Sequence, residues 1–416
     1  MSVDAPRLEP ASSAAVSGID LSDPDLYALG DPHRVWRQLR EVAPVWFNAE
    51  AHGPGFWAVT AYAPAVQVYR NPSVFSSEDG IVLRADRWSP DPAGGRMLAL
   101  TDPPRHRKVR ALVNRAFTPR TVARLQHTMV AFCDGLVGAA VARGGCEVVD
   151  DLAARLPVAL TCDLMGVPRA DWELMYDLTR RAFGADDDAF RTDPSSRLSA
   201  SRAHSEIMHY YRGLIVARRE QPRDDLVSAL VTGQVDDRPL SIKEILLQCD
   251  NLVVAGLETV RHATTGGVLA LIEHPDQWQL LREQPALLDT AVEEILRWTS
   301  PGMHVLRTAR EDVRLGDCEV RAGDAVTVWN PSANRDAAVF PDPDRFDVAR
   351  TPNRHLALGI GEHYCLGASL ARMELRTMLA ALLRRVSRIE RAGPVARLRS
   401  NVIGGYRSLP VELWAA

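Results

Sequence analysis

Apolar positions recur at three- and four-residue intervals over much of the chain, which is the spacing of amphipathic helices. The clearest stretches are Val122–Ala142, Ala200–Arg219, Leu287–Thr299 and Ala368–Val386. Trp57–Thr60 and Asp324–Trp329 instead concentrate β-branched and aromatic residues between turn formers, so they are expected as strands. Ser89–Gly95 and Gly184–Pro194 read as loops, and residues 1–30 as a loose leader ending in a turn. No repeat and no low-complexity linker divides the chain. Residues 31–416 are therefore predicted as a single domain, mainly α with a small β portion.

Ile242–Glu273 carries the strongest signal. Ser241 followed by Glu244 forms a capping box at its start, and Pro275 marks its end. Such a helix spans roughly 48 Å. Leu246, Leu247, Leu252, Val253, Val254 and Leu257 cover nearly its whole circumference, which predicts an interior helix. Glu258, Thr259, Arg261 and His262 interrupt that apolar surface, and charges midway along a buried helix need partners or a task.

Bulk properties change this picture little. A chain of 416 residues can bury a large core and a cofactor, and a net charge of −4 makes no case for nucleic acid. Only Lys108 and Lys243 are lysines among 49 basic residues, as GC-rich codon usage produces. The six cysteines are scattered without zinc-site spacing. The N-terminal residues lack a basic segment followed by an apolar one, and no apolar run reaches transmembrane length. The expectation is a cytoplasmic protein with reduced thiols and no membrane anchor.

His355–Gly367 reads HLALGIGEHYCLG. Its glycines and cysteine precede a helix expected to begin near Leu366. A thiolate needs N–H donors and a cationic partner, and a loop passing into a helix N-terminus supplies the donors. Glycines let such a loop turn tightly against a flat group. A dinucleotide loop is excluded, because the third glycine of that fingerprint would fall on Tyr364.

This segment resembles the haem-binding signature of the cytochrome P450 family, with Gly359, Gly361, His363, Cys365 and Gly367 matching and Leu358 standing where the family has phenylalanine. Three further segments carry the same resemblance. Glu294 and Arg297 match E-x-x-R, with Arg345 of FPDPDRF nominated as the third member of a structural trio. Ala255, Gly256, Glu258 and Thr259 match A-G-x-D/E-T. His106 and Arg110 match H-x-x-x-R, after an Asp102–Pro103 pair read as a helix start. Arg307 and His355 resemble further contacts to haem carboxylates.

The motifs run from residue 102 to 367 in family order. The resemblance implies the triangular helical P450 prism and a haem b iron held by Cys365. Thr259 would act as a hydroxyl relay, with Glu258 as its proton source, against the plainer alternative of a helix packing defect with an ion pair from Glu258 to Arg261 or His262. It implies an oxygenase of the bacterial class I kind, working in secondary metabolism. Such an enzyme consumes O2 and takes electrons from a separate ferredoxin and ferredoxin reductase. Its substrate would be small or carrier-linked, contacting Ile81–Leu98, Arg180–Ala200, Cys249–Thr259, Gly302–Val305 and Val402–Gly405. A catalytically silent haem domain that recruits a partner or senses a ligand is the competing reading. Arg105, Arg107, Lys108 and Arg115 form a candidate docking patch for an acidic ferredoxin, against the plainer alternative that they answer local carboxylates.

Overall fold

The computed structural model describes residues 16, 18–50, 53–83, 91–114 and 119–416, the side chains of residues 119–124 and 127 excepted. Eight helices position the region of interest: α1 Arg105–Asn114, α2 Pro119–Ala142, α3 Arg155–Met165, α4 Trp172–Phe183, α5 Ser196–Glu220, α6 Ile242–Glu273, α7 Leu288–Thr299 and α8 Ala368–Arg385. A five-stranded sheet contains β1 Val45–Asn48, β2 Phe56–Val59, β3 Phe75–Ser76, β4 His304–Ala309 and β5 Ala325–Trp329. Its order is β1-β2-β5-β4-β3, with only the β2–β5 pair parallel. A second sheet joins Val386–Arg391, Pro410–Ala415 and Gly145–Glu147. The expected mainly helical fold with a minor sheet portion is what is observed.

Helix α6 is the axle. Its capping box is complete: the Ser241 side chain accepts from the Glu244 N–H at 3.3 Å, and Glu244 Oε2 accepts from the Ser241 N–H at 2.8 Å. Helices α3, α4, α5, α7 and α8 all pack against it. Its second half, Val260–Leu271, is buried without a break, so the apolar circumference read from the sequence is matched by neighbours on every side. At Gly256 the approach to α3 is so close that a Cβ would lie 2.6 Å from Thr161 Oγ1.

Two local expectations need correcting. Residues 18–30 are not loose: Leu21 and Tyr27 are buried beside Trp36 and Trp329, and the Leu21 N–H donates to Asn48 Oδ1 at 2.8 Å. The packed chain thus begins upstream of residue 31; residues 1–15 lie outside the described residues. Asp102 does not cap α1 with its side chain. That carboxylate accepts from Ser76 Oγ at 2.6 Å, the Ser77 N–H at 2.9 Å and Arg310 at 3.0 Å, tying the approach to α1 onto β3.

Candidate active site

The cysteine loop is shaped by backbone geometry. Gly359 and Gly361 have φ of +64° and +75°, which side-chain-bearing residues rarely adopt. A Cβ on Gly361 would also strike the Tyr69 carbonyl at 2.8 Å. The Cys365 N–H donates to the Leu358 carbonyl at 2.9 Å, closing the loop. Gly367 is the N-cap of α8, and its N–H points at the Cys365 sulfur. Burial raises the Cys365 thiol above its ordinary range, against smaller opposing effects of that N–H, Arg110 and Arg372. Those donors alone do not ionise it, so a thiolate here calls for a cation placed directly on the sulfur. Leu358 is partly buried and packs against the main core.

Above the loop a cavity is lined by Cys365, His363, Gly367, His106, Arg110, Leu98, Asn251, Ala255, Gly256 and Thr259. Four bases gather at or beside it, on α1, β4 and the cysteine loop. The rings of His106 and His363 lie 4.2 Å apart. His106 Nδ1 is buried with no hydrogen-bond partner among the described residues, and the Glu362 carboxylate is 4.0 Å away. Arg110 donates to the carbonyls of Glu362 and Tyr364 at 3.3 and 2.6 Å. Arg307 is buried, and among the described residues its side chain donates only to the Leu306 carbonyl, at 2.7 Å. Burial holds Arg307 below its usual value, and burial with the charge of Arg307 holds His363 down to about 3. Ser77 Oγ sits 3.2 Å from His363 Nε2. Interior bases without a matching carboxylate are costly unless an anion arrives. A flat group carrying an electrophilic metal and carboxylates fits both the sulfur and these bases, and haem is such a group.

His355 does not belong to this cluster. Its Nε2 faces Glu293 Oε2 at 3.2 Å, and its Nδ1 accepts from the Ala357 N–H. Arg372 on α8 also binds Glu293, holding that carboxyl down to about 2. The reason is local: Leu356 is buried with its N–H donating to Asn334 Oδ1 at 2.6 Å, so the preceding side chain turns to α7.

Arg345 is likewise replaced. Glu294 binds Arg297 through two bonds of 2.7 Å, and the second arginine on it is Arg350, with Nε at 3.2 and 3.1 Å from the two carboxylate oxygens. Arg345 is exposed and contributes its carbonyl, which accepts from Arg297 and Arg350. Phe346, Val348 and Arg350 alternate inward, so residue 345 has the opposite parity. That alternation was a readable signal for Arg350. Asn353 and the Asp347 N–H complete the shell around Glu294, neither of which the motifs suggested.

On α6 the Thr259 hydroxyl donates to the Ala255 carbonyl at 3.0 Å and faces the cavity with Ala255 and Gly256. Glu258 does not join them. It is fully buried toward α4: Arg261 donates to its Oε2, Thr179 Oγ1 to its Oε1 at 3.2 Å, and His262 Nε2 lies 3.7 Å away. Burial alone would raise its pKa, but Arg261 chiefly, with His262 and Thr179, keeps it below the usual carboxylate range. The expectation of Glu258 as a proton source beside Thr259 is therefore not met here, because an adjacent guanidinium on its own helix claims the carboxylate.

The docking patch also resolves into pairs. Arg105 binds Glu244, Arg107 binds Glu362 and Lys108 binds Asp236; Arg115 lies outside the described residues. His304, another candidate for the substrate side, accepts from the Leu83 N–H and contacts the Asn401 carbonyl, both at 2.9 Å, stapling two loops instead. Arg84 and Arg87 fall outside the described residues.

Residues 188–391 match the family described as Cytochrome P450. The chain is 39% identical over 403 residues to Cytochrome P450 NovI of Streptomyces niveus, spanning 97% of this chain and 98% of that protein. The crystal structure of P450 OxyD, involved in the biosynthesis of vancomycin-type antibiotics, superposes with a TM-score of 0.87 at 40% identity, over 96% of this chain and 100% of that one. P450BioI, solved in complex with a fatty acid ligated to acyl carrier protein, superposes with a TM-score of 0.83 at 29% identity, over 94% and 99% of the two chains.

Proposed function

The chain belongs to the cytochrome P450 family, whose members are haem b monooxygenases, and we propose that it inserts one oxygen atom from O2 into a small organic substrate of secondary metabolism. The observation that carries this reading is the juxtaposition of Cys365, the uncompensated bases and Thr259 around one cavity. When bound, haem would supply the oxygen-activating chemistry, which a cysteine thiolate ligand favours. In this reading the packed chain, residues 18–30 included, acts as one catalytic domain. Cys365 ligates the iron, while His106, Arg110, Arg307 and His363 hold the carboxylates. Gly359, Gly361 and Gly367 shape the loop, and Leu358 backs it against the core.

The Thr259 hydroxyl holds a proton at Oγ1 on the cavity wall, and its bond to Ala255 keeps that hydroxyl at a fixed height. Gly256 allows α6 to lie against α3 at this level. Glu294, Arg297 and Arg350 brace the underside. Electrons are assigned to a separate ferredoxin and its reductase. Presentation of the substrate on a carrier is supported by the BioI neighbour, and secondary metabolism by OxyD. Among the described residues no helix is long and apolar enough to cross a membrane.

The test is reconstitution with a ferredoxin and reductase under labelled dioxygen, using substrates selected by the spin-state shift they induce. One labelled oxygen atom in the product is expected, and unlabelled product would end the proposal. Cys365→Ser should lose the thiolate-type carbon monoxide spectrum. Thr259→Ala should keep haem while releasing more peroxide per reductant consumed.

A further inference from the structure

Helix α6 carries a polar side chain that none of the roles above uses. Asn251 lines the cavity together with Ala255 and Thr259, and the three share one helix face at i, i+4 and i+8. The polar side chains around it on α6 are answered within the protein. Gln248 accepts from the Leu98 N–H at 2.9 Å and donates to the Arg96 carbonyl at 2.5 Å. Asp250 meets His204 of α5 at 2.9 Å, and Glu258 turns to Arg261 and to Thr179 of α4. The Thr259 hydroxyl goes to the Ala255 carbonyl. Asn251 is half-buried, and among the described residues its carboxamide takes part in no hydrogen bond. Its neighbours on the wall, Leu98, Leu252 and Ala255, are apolar. The amide therefore keeps its carbonyl acceptor and its two N–H donors open to the cavity. Enclosing such a group without a partner is costly, so whatever fills the cavity beside it is selected for a polar atom at that place.

We propose that Asn251 is a specificity-determining residue, which holds an otherwise apolar substrate by hydrogen-bonding one neutral polar group on it, such as a hydroxyl, a carbonyl or an amide. This rests on the monooxygenase reading. A neutral group is required because a carboxamide carries no charge to answer an ion, and the two acids nearest it in sequence face α5 and α4 instead of the cavity. The bases His106 and Arg110 lie on α1, where haem carboxylates occupy them in that reading. Helix rise sets the spacing. Asn251 stands two turns from Thr259, about 12 Å along α6. A substrate anchored at Asn251 thus presents to the Thr259 end of the wall a carbon on the order of 10 Å from its polar group. A residue serving only to fill this place would be apolar, as Leu252 and Ala255 beside it are.

Titration of the haem-loaded protein with N-alkylimidazoles tests the anchor. The imidazole nitrogen binds the iron, so chain length sets how far the other end reaches along the cavity. Two series are compared, one ending in a hydroxyl and one in a methyl group of the same size, with affinity read from the shift of the Soret band. Against a wholly apolar wall the methyl-ended probe binds better at every length, because desolvation of the hydroxyl is not offset. The expected result is an optimum length at which the hydroxyl-ended probe binds about threefold to tenfold tighter than its methyl-ended partner, the worth of one neutral hydrogen bond. Asn251→Leu should reverse that order at the same length and leave the affinity for imidazole itself unchanged. Asn251→Ala removes the amide without added bulk and makes the same comparison if Asn251→Leu does not hold haem. A methyl preference at every length in the wild type overturns the proposal, as does a hydroxyl preference that survives loss of the amide. The titration needs no turnover. A wild-type protein that binds haem and forms no product would defeat the monooxygenase reading, while the two probe series would still show whether Asn251 selects a polar group.

Discussion

Two buried clusters of arginine, one under α7 and one beside the cysteine loop, use similar residues to opposite ends. Under α7, Glu294 accepts from Arg297 and Arg350, and both guanidiniums spend their remaining donors on carbonyls of residues 334–345. Every charge there has its answer inside the protein. Beside the cysteine loop, Arg110 and Arg307 meet only carbonyls, and His106 keeps an unmatched nitrogen. A self-satisfied network is a brace, and a network left in excess of one sign is a receptor for the missing charge.

The contrast is sharpest where one partner is removed. Glu294→Ala would strand two buried guanidiniums and should cost about 3–5 kcal/mol, seen as a large drop in the denaturation midpoint of the apoprotein as well as the loaded form. Stability within error of wild type would mean the network is no brace. Arg307→Met should behave in the opposite way. The apoprotein should be as stable as wild type or more so, because a buried unpaired charge is removed, while haem is lost to an acceptor protein about 10–100-fold faster, the worth of one charge-assisted hydrogen bond. Equal losses in both forms would place Arg307 with the braces.

A smaller effect concerns the histidine beside the paired acid on α6. Burial and Arg261 hold His262 down to about 4, from an ordinary 6.5. The unfolded chain therefore takes up a proton below 6.5 that the folded chain refuses until about 4. Stability should fall with acidification across that window, by at most about 1.4 kcal/mol per pH unit from this residue. Denaturant titrations over a pH series should show a shallower slope in His262→Gln, and parallel slopes would remove His262 from the account. The smallest effect is expected at the surface. Arg107 and Lys108 are exposed and already paired with Glu362 and Asp236. Since such exposed, solvent-screened pairs contribute little, reversing both to Glu should leave the denaturation midpoint close to that of wild type. Stopped-flow reduction by ferredoxin should then show only a modest, salt-sensitive slowing. A steep loss of reduction rate would restore this face as the main docking surface.

Local order was legible where the signal is local. The α6 boundaries follow from a capping box and a proline, and the cysteine loop from glycines that alone tolerate positive φ. Cys365, Gly256, Thr259, His106, Arg110 and His363 could be marked as one group because motif spacing survives folding. The readings that failed concern side-chain direction. Arg345 and Arg350 are both arginines near a buried phenylalanine, and strand-like parity decides which turns inward. His355 is claimed by Glu293, which lies 62 residues away, while Glu258 is claimed by Arg261 one turn along its own helix, a pairing that the i,i+3 spacing allowed but did not decide. The sequence by itself determined which groups the chain carries and on which turn of which element each sits. Only the tertiary structure decided which charges were already answered, because pairing depends on distances between elements far apart in sequence. It thereby separated the braces from the bases left open to the cavity.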